Sequence, residues 1–169
     1  RRGLGRKTAK IKPMEIALVG NSLWGISEGQ QPVRMQGRMK AAEIQRQVQE
    51  MLDAGIIRHS KANAYSQVLL TPKKDNKWRF CVDYRRLNLS MEKESWPLPR
   101  IRDMIDRIGG HKASHYGVLD LTKGYYQAPL SEASKRLSAF ITPNGVYEWN
   151  RVAMGLKSAP AYFQQAMAT

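Results

Sequence analysis

One carboxylate of the chain stands where it could bind a metal ion. Asp120 follows the apolar pair Val118 and Leu119 and precedes a turn that contains Gly124. A carboxylate at the end of a buried strand, beside a turn that lets backbone and ligand approach closely, suits a metal ligand. The same carboxylate could instead accept hydrogen bonds from turn amides, which is the commoner role. Asp120 alone leaves both interpretations open.

Cationic side chains are concentrated at the tip of a predicted hairpin. They are Lys73, Lys74, Lys77 and Arg79. An arginine grips phosphate with two parallel hydrogen bonds, and a lysine acts as a mobile point charge. These residues could fold over a polyphosphate, or they could belong to an ordinary solvated turn.

Three tyrosines, Tyr116, Tyr125 and Tyr126, flank the Asp120 segment. Each could pack in a core or stack on a base or sugar, and core packing is the default for any one of them. Cys81 is the only cysteine, which excludes an internal disulfide and a cysteine zinc cluster within one chain.

The composition indicates a polyanionic partner. Against 14 acidic residues the chain has 28 lysines and arginines, a formal net charge of +14. Phosphate backbones attract such a surface through counterion release, so binding should weaken as salt rises. The charge could also serve solubility alone. With no apolar run long enough to cross a bilayer, we expect an intracellular protein without a membrane partner.

The first half of the chain predicts a loose lead-in, a helix and a hairpin. Residues 1–12 hold six cations and no acid, which predicts a disordered arm, and residues 13–40 read as an extended segment. Apolar residues at helical spacing predict a helix from Ala41 that ends near Gly55. Residues 67–72 and 77–85 alternate as two strands around a polar turn.

The second half of the chain is also predicted to contain both helices and strands. Proline-flanked residues 97–110 predict a helix, residues 116–121 a strand carrying Asp120, and residues 131–136 a helical turn. Residues 137–142 and 146–152 predict a hairpin, because Asn144 and Gly145 supply the positive φ angles of a tight turn. Ser158 is placed to cap a last helix. Helices with mostly antiparallel strands imply an α+β fold.

Six ordered motifs then carry a family resemblance. They are residues 50–58, 73–88, 96–101, 118–127, 139–149 and 155–164. In this order and spacing they resemble the reverse transcriptases of Gypsy-like long-terminal-repeat retrotransposons, over residues 32–167. The resemblance implies two regions: a basic arm and lead-in at 1–31, and the fingers and partial palm of a right-hand polymerase at 32–169. It implies template-directed DNA synthesis from RNA or DNA.

The resemblance also implies roles for single residues. Asp120 would be a catalytic carboxylate that binds magnesium, of which the complete enzyme would hold two ions, with manganese as a possible substitute. The residues implied in nucleotide binding are Lys73, Arg79, Leu121, Tyr125 and Met154, with Tyr125 under the sugar and Met154 where the family commonly has Phe. Those implied in template or primer binding are Lys74, Trp78, Lys157 and Gln164.

The family's remaining catalytic residues are expected outside this sequence. The Tyr-x-Asp-Asp motif would follow the last helix, so we expect the isolated chain to be inactive. The implied partners are template with primer, deoxynucleoside triphosphates, and RNase H, integrase and protease domains of a parent polyprotein. The implied location is a cytoplasmic virus-like particle or the nucleus. Two other hypotheses stay open: a catalytically dead nucleic-acid-binding remnant, and a decayed piece that does not fold stably.

Overall fold

A five-stranded mixed sheet is the framework of the chain. A computed structural model describes residues 7–26, 28–74, 77–93, 96, 100–111, 113–118, 120–121 and 123–168. The strands are β1 Ile57–His59, β2 Ser66–Pro72, β3 Trp78–Asp83, β4 Phe140–Thr142 and β5 Gly145–Trp149. The helices are α1 Arg38–Asp53, α2 Arg85–Ser90, α3 Ile101–Gly110, α4 Glu132–Leu137 and α5 Ala159–Ala168, with a 3-10 turn at Gly124–Gln127.

The sheet order is β1-β5-β4-β2-β3. Only β2 and β4 pair in parallel; the other three pairings are antiparallel. This arrangement of helices around mostly antiparallel strands confirms the expected α+β class. Phe140 lies at the centre of the core, fully buried, with its ring centroid 5.5 Å from that of Phe80 and 5.7 Å from that of Trp149.

Both predicted hairpins form, with shorter strands at the second one. In β2–β3, Leu69 pairs with Cys81, while the turn residues 75–76 lie outside the described residues. Strand β4 begins at Phe140 rather than at Leu137, because the Ser131 side chain accepts a hydrogen bond from the Ser134 amide and starts α4. That helix takes up the first residues of the expected strand.

Helix α1 confirms the helix expected near Ala41, although it begins at Arg38. Ile44, Val48 and Met51 form its buried face, as the helical spacing indicated. The helix gives way to Gly55 at φ +65°, a backbone conformation that favours glycine.

Helix α2 was not expected, since the second strand was predicted to continue to Arg85. The strand ends at Asp83 instead, and Arg85 begins the helix. The Tyr84 side chain is buried, and its hydroxyl donates a hydrogen bond to the carbonyl oxygen of Ser138 at 2.7 Å. The Asp83 carboxylate accepts two hydrogen bonds from the Arg85 guanidinium. These contacts turn the chain out of the sheet.

The described lead-in residues form no helix before Arg38, and residues 7–12 are not disordered as the sequence predicted. Among residues 7–12, the Ala9 amide donates to the carbonyl oxygen of Gln127 at 2.7 Å, and the carbonyl oxygen of Lys12 accepts from the Tyr162 hydroxyl at 2.7 Å. Met14 is 1% exposed and forms a bridge with Leu130. The expectation of disorder up to Lys12 was therefore wrong for residues 7–12, because backbone hydrogen bonds fix them; residues 1–6 lie outside the described part.

The strand expected at residues 116–121 does not form at any of its described positions, and that prediction was wrong. Tyr116 is 61% exposed and Val118 is 93% exposed, and Asp120 lies in irregular, exposed chain. A strand needs a neighbouring strand to pair its amides and carbonyls. The sheet offers no such neighbour to this segment within the described residues.

Helices α3 and α5 confirm two further predictions. No residue of α3 is buried, and its apolar residues Ile101, Ile105 and Ile108 face solvent. The prolines expected to begin it, 97 and 99, lie outside the described residues. At α5, the Ser158 hydroxyl is buried without a hydrogen-bond partner in the described chain, so the cap expected there is not formed by its side chain. Among the described residues, no helix combines the length and apolar character that crossing a bilayer requires.

Candidate functional site

A cavity of about 640 Å³ opens between α1, β3 and the 3-10 turn. We call it the central cavity. The residues that line it are Gln47, Glu50, Met51, Ala54, Ile56, Lys73, Trp78, Arg79, Phe80, Leu121, Lys123, Gly124, Tyr125, Tyr126 and Met154. Its size falls within the range of pockets that hold small ligands.

Two separate elements bring cations to the central cavity. Lys73 and Arg79 belong to the β2–β3 hairpin, which the hydrogen bond from the Lys73 amide to the Lys77 carbonyl oxygen holds closed at 2.8 Å. Lys123 comes from the segment before the 3-10 turn. All three side chains are on exposed residues, so they can move towards an anion without losing a buried contact.

Two tyrosines of the 3-10 turn, Tyr125 and Tyr126, also line the cavity. The Tyr125 ring packs edge-on against Phe163, with centroids 5.3 Å apart and an interplanar angle of 79°. The Tyr126 ring lies 5.3 Å from Trp149, and burial raises the pKa of Tyr126 to about 12. Tyr126 therefore stays neutral, and its ring joins the cavity to the core.

The 3-10 turn itself is fixed by contacts from distant residues. Arg151, 1% exposed, donates a hydrogen bond from Nη1 to the carbonyl oxygen of Tyr126 at 2.9 Å. Gly124 fits closely against Phe163, since an added Cβ would lie 3.1 Å from its Cζ atom. The turn is thus held from the core side and leaves little room for a larger residue.

Met154 is carried to the cavity by a turn that depends on Asn88. The Asn88 amide nitrogen donates to the carbonyl oxygen of Gly155 at 2.8 Å, and its oxygen accepts from the Lys157 amide at 2.9 Å. Gly155 has φ +93°, a conformation in which side chains are strained. Met154 is 57% exposed, so it presents a flexible apolar side chain to the opening.

The structure brings all five residues expected to bind a nucleotide to one cavity. Lys73, Arg79, Leu121, Tyr125 and Met154 all line it. They come from parts of the chain far apart in sequence, so their convergence is a property of the fold.

The residues expected at a template are more dispersed. Trp78 lines the central cavity, and the Lys40 ammonium lies 5.2 Å from the centre of its ring. Lys74 is exposed in the hairpin turn, and Gln164 is exposed on α5. The Lys157 ammonium donates to the carbonyl oxygen of Met91 at 2.9 Å. That contact ties Lys157 to the protein surface, so its contact with a template stays a prediction.

The described residues do not fit a complete metal site. Asp120 is exposed next to Leu121, and no set of three His, Cys, Asp or Glu side chains in the described ranges is arranged to hold a metal ion. A hard divalent cation needs several oxygen ligands together. Asp120 can supply one carboxylate, and the other ligands would have to come from elsewhere.

Several residues that line the central cavity were not predicted from the sequence. Gln47 and Met51 lie one turn apart on α1, and the helical pattern assigned Met51 to the core alone. Lys123 directly precedes Gly124 in the predicted turn, and this pattern indicates no binding role for it. No sequence signal identifies the contribution of α1, because it depends on how the helix packs against β3.

Comparisons with known proteins agree with this architecture. A family model described as reverse transcriptase (RNA-dependent DNA polymerase) matches residues 71–169, more than half of the chain. The chain is 40% identical over 131 residues to the retrovirus-related Pol polyprotein from transposon 412 of Drosophila melanogaster, covering 74% of this chain and 10% of that protein. It is 33% identical over 133 residues to the enzymatic polyprotein of cauliflower mosaic virus (strain Strasbourg), and the match covers 76% of this chain and 19% of that protein.

Solved structures share the fold. The prototype foamy virus protease-reverse transcriptase superposes with a TM-score of 0.73 at 22% identity, covering 95% of this chain and 21% of that one. The foamy viral enzyme in complex with RNA/DNA hybrid superposes with a TM-score of 0.74 at 19% identity, and the match covers 95% of this chain and 21% of that one. The chain spans between about a tenth and a fifth of the curated relatives named above. The expected family is confirmed, and its Gypsy-like subtype stays a prediction. The chain belongs to the reverse transcriptase (RNA-dependent DNA polymerase) family and is a fragment of such a domain.

Proposed function

We propose that this chain supplies the nucleotide-binding part of an RNA-directed DNA polymerase, and that the central cavity binds a deoxynucleoside triphosphate. The observation that carries the proposal is the convergence of Lys73, Arg79, Leu121, Tyr125 and Met154 on one cavity.

The cavity offers the chemistry that a nucleotide needs. Lys73 and Arg79 place positive charge on the hairpin wall, where they would contact the phosphates. Tyr125, held edge-on by Phe163, would lie under the sugar and exclude a 2′-hydroxyl group. Leu121 would contribute its main-chain carbonyl oxygen to the same nucleotide site. Positioning and electrostatic stabilisation of this kind account for most of the catalysis of phosphoryl transfer.

Catalysis needs more than this chain provides. Reverse transcriptases generally use divalent metals, which stabilise the attacking and leaving oxygens of the transfer. Magnesium is the ion that we propose, with Asp120 as one of its ligands. Because the described residues do not complete a metal site, we expect the isolated chain to bind nucleotides without extending a primer. Primer extension on a homopolymer template that exceeds background, and that Asp120→Asn abolishes, would contradict this expectation.

The complete protein would act on a primed template. The foamy viral enzyme has been solved in complex with RNA/DNA hybrid and with double-stranded DNA, which supports RNA or DNA as the template of this family member. We propose that Trp78 and Lys74 contact the template near the hairpin, and that Gln164 does so from α5. The Pol polyprotein relatives support further domains, for which protease, RNase H and integrase are our proposal.

Affinity for nucleic acid without catalysis is the second candidate function, and the net charge of +14 favours it. It predicts sequence-indifferent binding that weakens steeply with salt. Filter binding of a primed template at two salt concentrations measures this affinity. Asp120→Asn should leave it unchanged, whereas deletion of residues 1–12 should weaken it.

Calorimetric titration of deoxythymidine triphosphate into the chain tests the first candidate. Arg79→Gln should weaken binding about tenfold, since a charge-assisted hydrogen bond to phosphate is lost. Lys61→Asn is the control, because Lys61 is exposed and lies outside the lining of the central cavity. Absence of binding to the unmodified chain, or equal affinities for the two variants, would contradict the proposal.

A further inference from the structure

We propose that Lys123 is a third phosphate-binding cation of the central cavity, and that its side chain contacts the triphosphate from a different element than the hairpin that carries Lys73 and Arg79. The inference rests on the proposed function, because it assigns a further residue to the same ligand. Neither the sequence reasoning nor the family resemblance assigned Lys123 any role.

The backbone of Lys123 is the first observation. With φ 50° and ψ 50°, Lys123 is the one non-glycine residue with positive φ among the described residues. The left-handed conformation is costly for residues with a Cβ atom, and glycine or asparagine adopts it more readily. Strain of this kind concentrates at functional sites. Lysine at this position therefore makes the fold less stable than glycine would.

The surroundings of the side chain are the second observation. Lys123 lines the central cavity and is exposed, and its ammonium makes no hydrogen bond or ion pair with another residue in the described ranges. Glu50 is the acidic residue of the lining, and its carboxylate accepts a hydrogen bond from Arg46 at 2.5 Å. The charge of Lys123 is therefore available to a ligand.

The distribution of charge is the third observation. Lys73 and Arg79 belong to the hairpin, whereas Lys123 belongs to the turn that carries Tyr125. A polyphosphate in the cavity would therefore meet cations from both elements. Because lysine is a mobile point charge, Lys123 would follow the phosphate chain rather than fix one oxygen. It would raise the affinity for triphosphate and leave the affinity for the base and sugar unchanged.

Calorimetry on the 169-residue chain with magnesium present tests this role. The probes are deoxythymidine triphosphate and thymidine, which lacks phosphate. Lys123→Asn removes the charge and tolerates the backbone conformation, Lys123→Arg keeps the charge, and Lys61→Asn repeats the charge change on an exposed residue outside the cavity lining. The thermal unfolding midpoint is measured for each variant.

We expect Lys123→Asn to weaken triphosphate binding about fivefold and to leave thymidine binding unchanged. Lys123→Arg and Lys61→Asn should stay within about twofold of the unmodified chain. The unfolding midpoint of the free Lys123→Asn chain should be equal or higher, because asparagine adopts the left-handed backbone conformation more readily than lysine.

Two results would overturn the inference and leave the proposed function intact. One is equal triphosphate affinity in Lys123→Asn and Lys61→Asn while Arg79→Gln binds more weakly. The other is a lowered unfolding midpoint of Lys123→Asn with parallel losses for both probes, which would assign the residue a structural role. Absence of triphosphate binding to the unmodified chain would overturn the proposed function, and this inference with it.

Discussion

The Arg151 guanidinium donates a hydrogen bond from Nη1 to the main-chain carbonyl oxygen of Tyr126, at 2.9 Å, from a position that is 1% exposed. This contact connects the segment after β5 to the 3-10 turn that carries Tyr125. Burial lowers the pKa of Arg151 below its ordinary value. A buried cation is costly unless it is hydrogen-bonded, so the contact indicates that the geometry of this turn matters to the protein.

Replacing Arg151 should therefore weaken the fold. Arg151→Met keeps most of the volume but leaves the Tyr126 carbonyl oxygen without this donor, and we expect it to lower the free energy of unfolding by about 2 kcal/mol or more. Urea denaturation measures the change. Arg136→Met is the matched control on an exposed arginine and should stay within about 0.5 kcal/mol. Equal stabilities of the two variants would contradict this account of the turn.

Asn88 offers a test of how Met154 is positioned. Asn88→Ala removes the hydrogen bonds to the Gly155 carbonyl oxygen and from the Lys157 amide. We expect the free energy of unfolding to fall by about 1–2 kcal/mol. Because the turn that presents Met154 is released, triphosphate affinity in calorimetry should also fall. Unchanged affinity in a folded Asn88→Ala chain would show that the turn does not depend on Asn88.

Phe140 tests the position of the core. Its ring is fully buried and lies within 5.8 Å, centre to centre, of the rings of Phe80, Tyr147 and Trp149. Phe140→Ala should lower the free energy of unfolding by about 3–5 kcal/mol, since it removes buried apolar surface and leaves a cavity. Phe140→Leu should recover more than half of that loss. Thermal denaturation of both variants measures the difference, and equal midpoints would contradict the packing described.

Acid should destabilise the chain in a defined range of pH. Hydrogen bonds from Arg46 hold the pKa of Glu43 at about 2, against an ordinary value of 4.5. Ion pairs also lower the pKa of Asp83, through Arg85, and that of Glu132. A carboxylate with a lowered folded pKa stabilises the fold above its unfolded pKa, and this stabilisation is lost as pH falls through the folded pKa.

The free energy of unfolding should therefore decrease as pH falls from about 4.5 towards about 2. Urea denaturation at several pH values measures the slope. Glu43→Gln should flatten the curve slightly, because Glu43 is near the surface and solvent screens its ion pair. Stability that rises as pH falls through this range would contradict the assigned ion pairs.

Sequence patterns predicted the elements that make their own local contacts. Helix α1 and the β2–β3 hairpin follow directly from apolar spacing and turn residues, and the hairpin across Asn144 follows from turn chemistry. Family motifs assigned five residues to nucleotide binding, and the fold brings all five to one cavity, while their role stays a prediction.

What the sequence could not predict depends on tertiary partners. Residues 116–121 are apolar enough for a strand, but the described chain offers them no strand to pair with. Residues 7–12 are basic and look unstructured, yet Gln127 and Tyr162 hold their backbone in place. The left-handed backbone of Lys123 has no signal in the residue type, since lysine is an unusual choice for that conformation.

Photocrosslinking tests the central claim most directly, because it reports where the nucleotide binds. The chain would be irradiated in the presence of a deoxynucleoside triphosphate that carries a photoreactive base. The labelled chain would then be digested with trypsin, and its peptides would be analysed by mass spectrometry. Cleavage after lysine and arginine yields peptides 124–135 and 152–157, which contain Tyr125, Tyr126 and Met154. We expect the label on one or both of these peptides, and competition by unlabelled triphosphate. Labelling confined to peptides that contain no lining residue of the central cavity, or labelling that unlabelled triphosphate does not reduce, would contradict a nucleotide site in the central cavity.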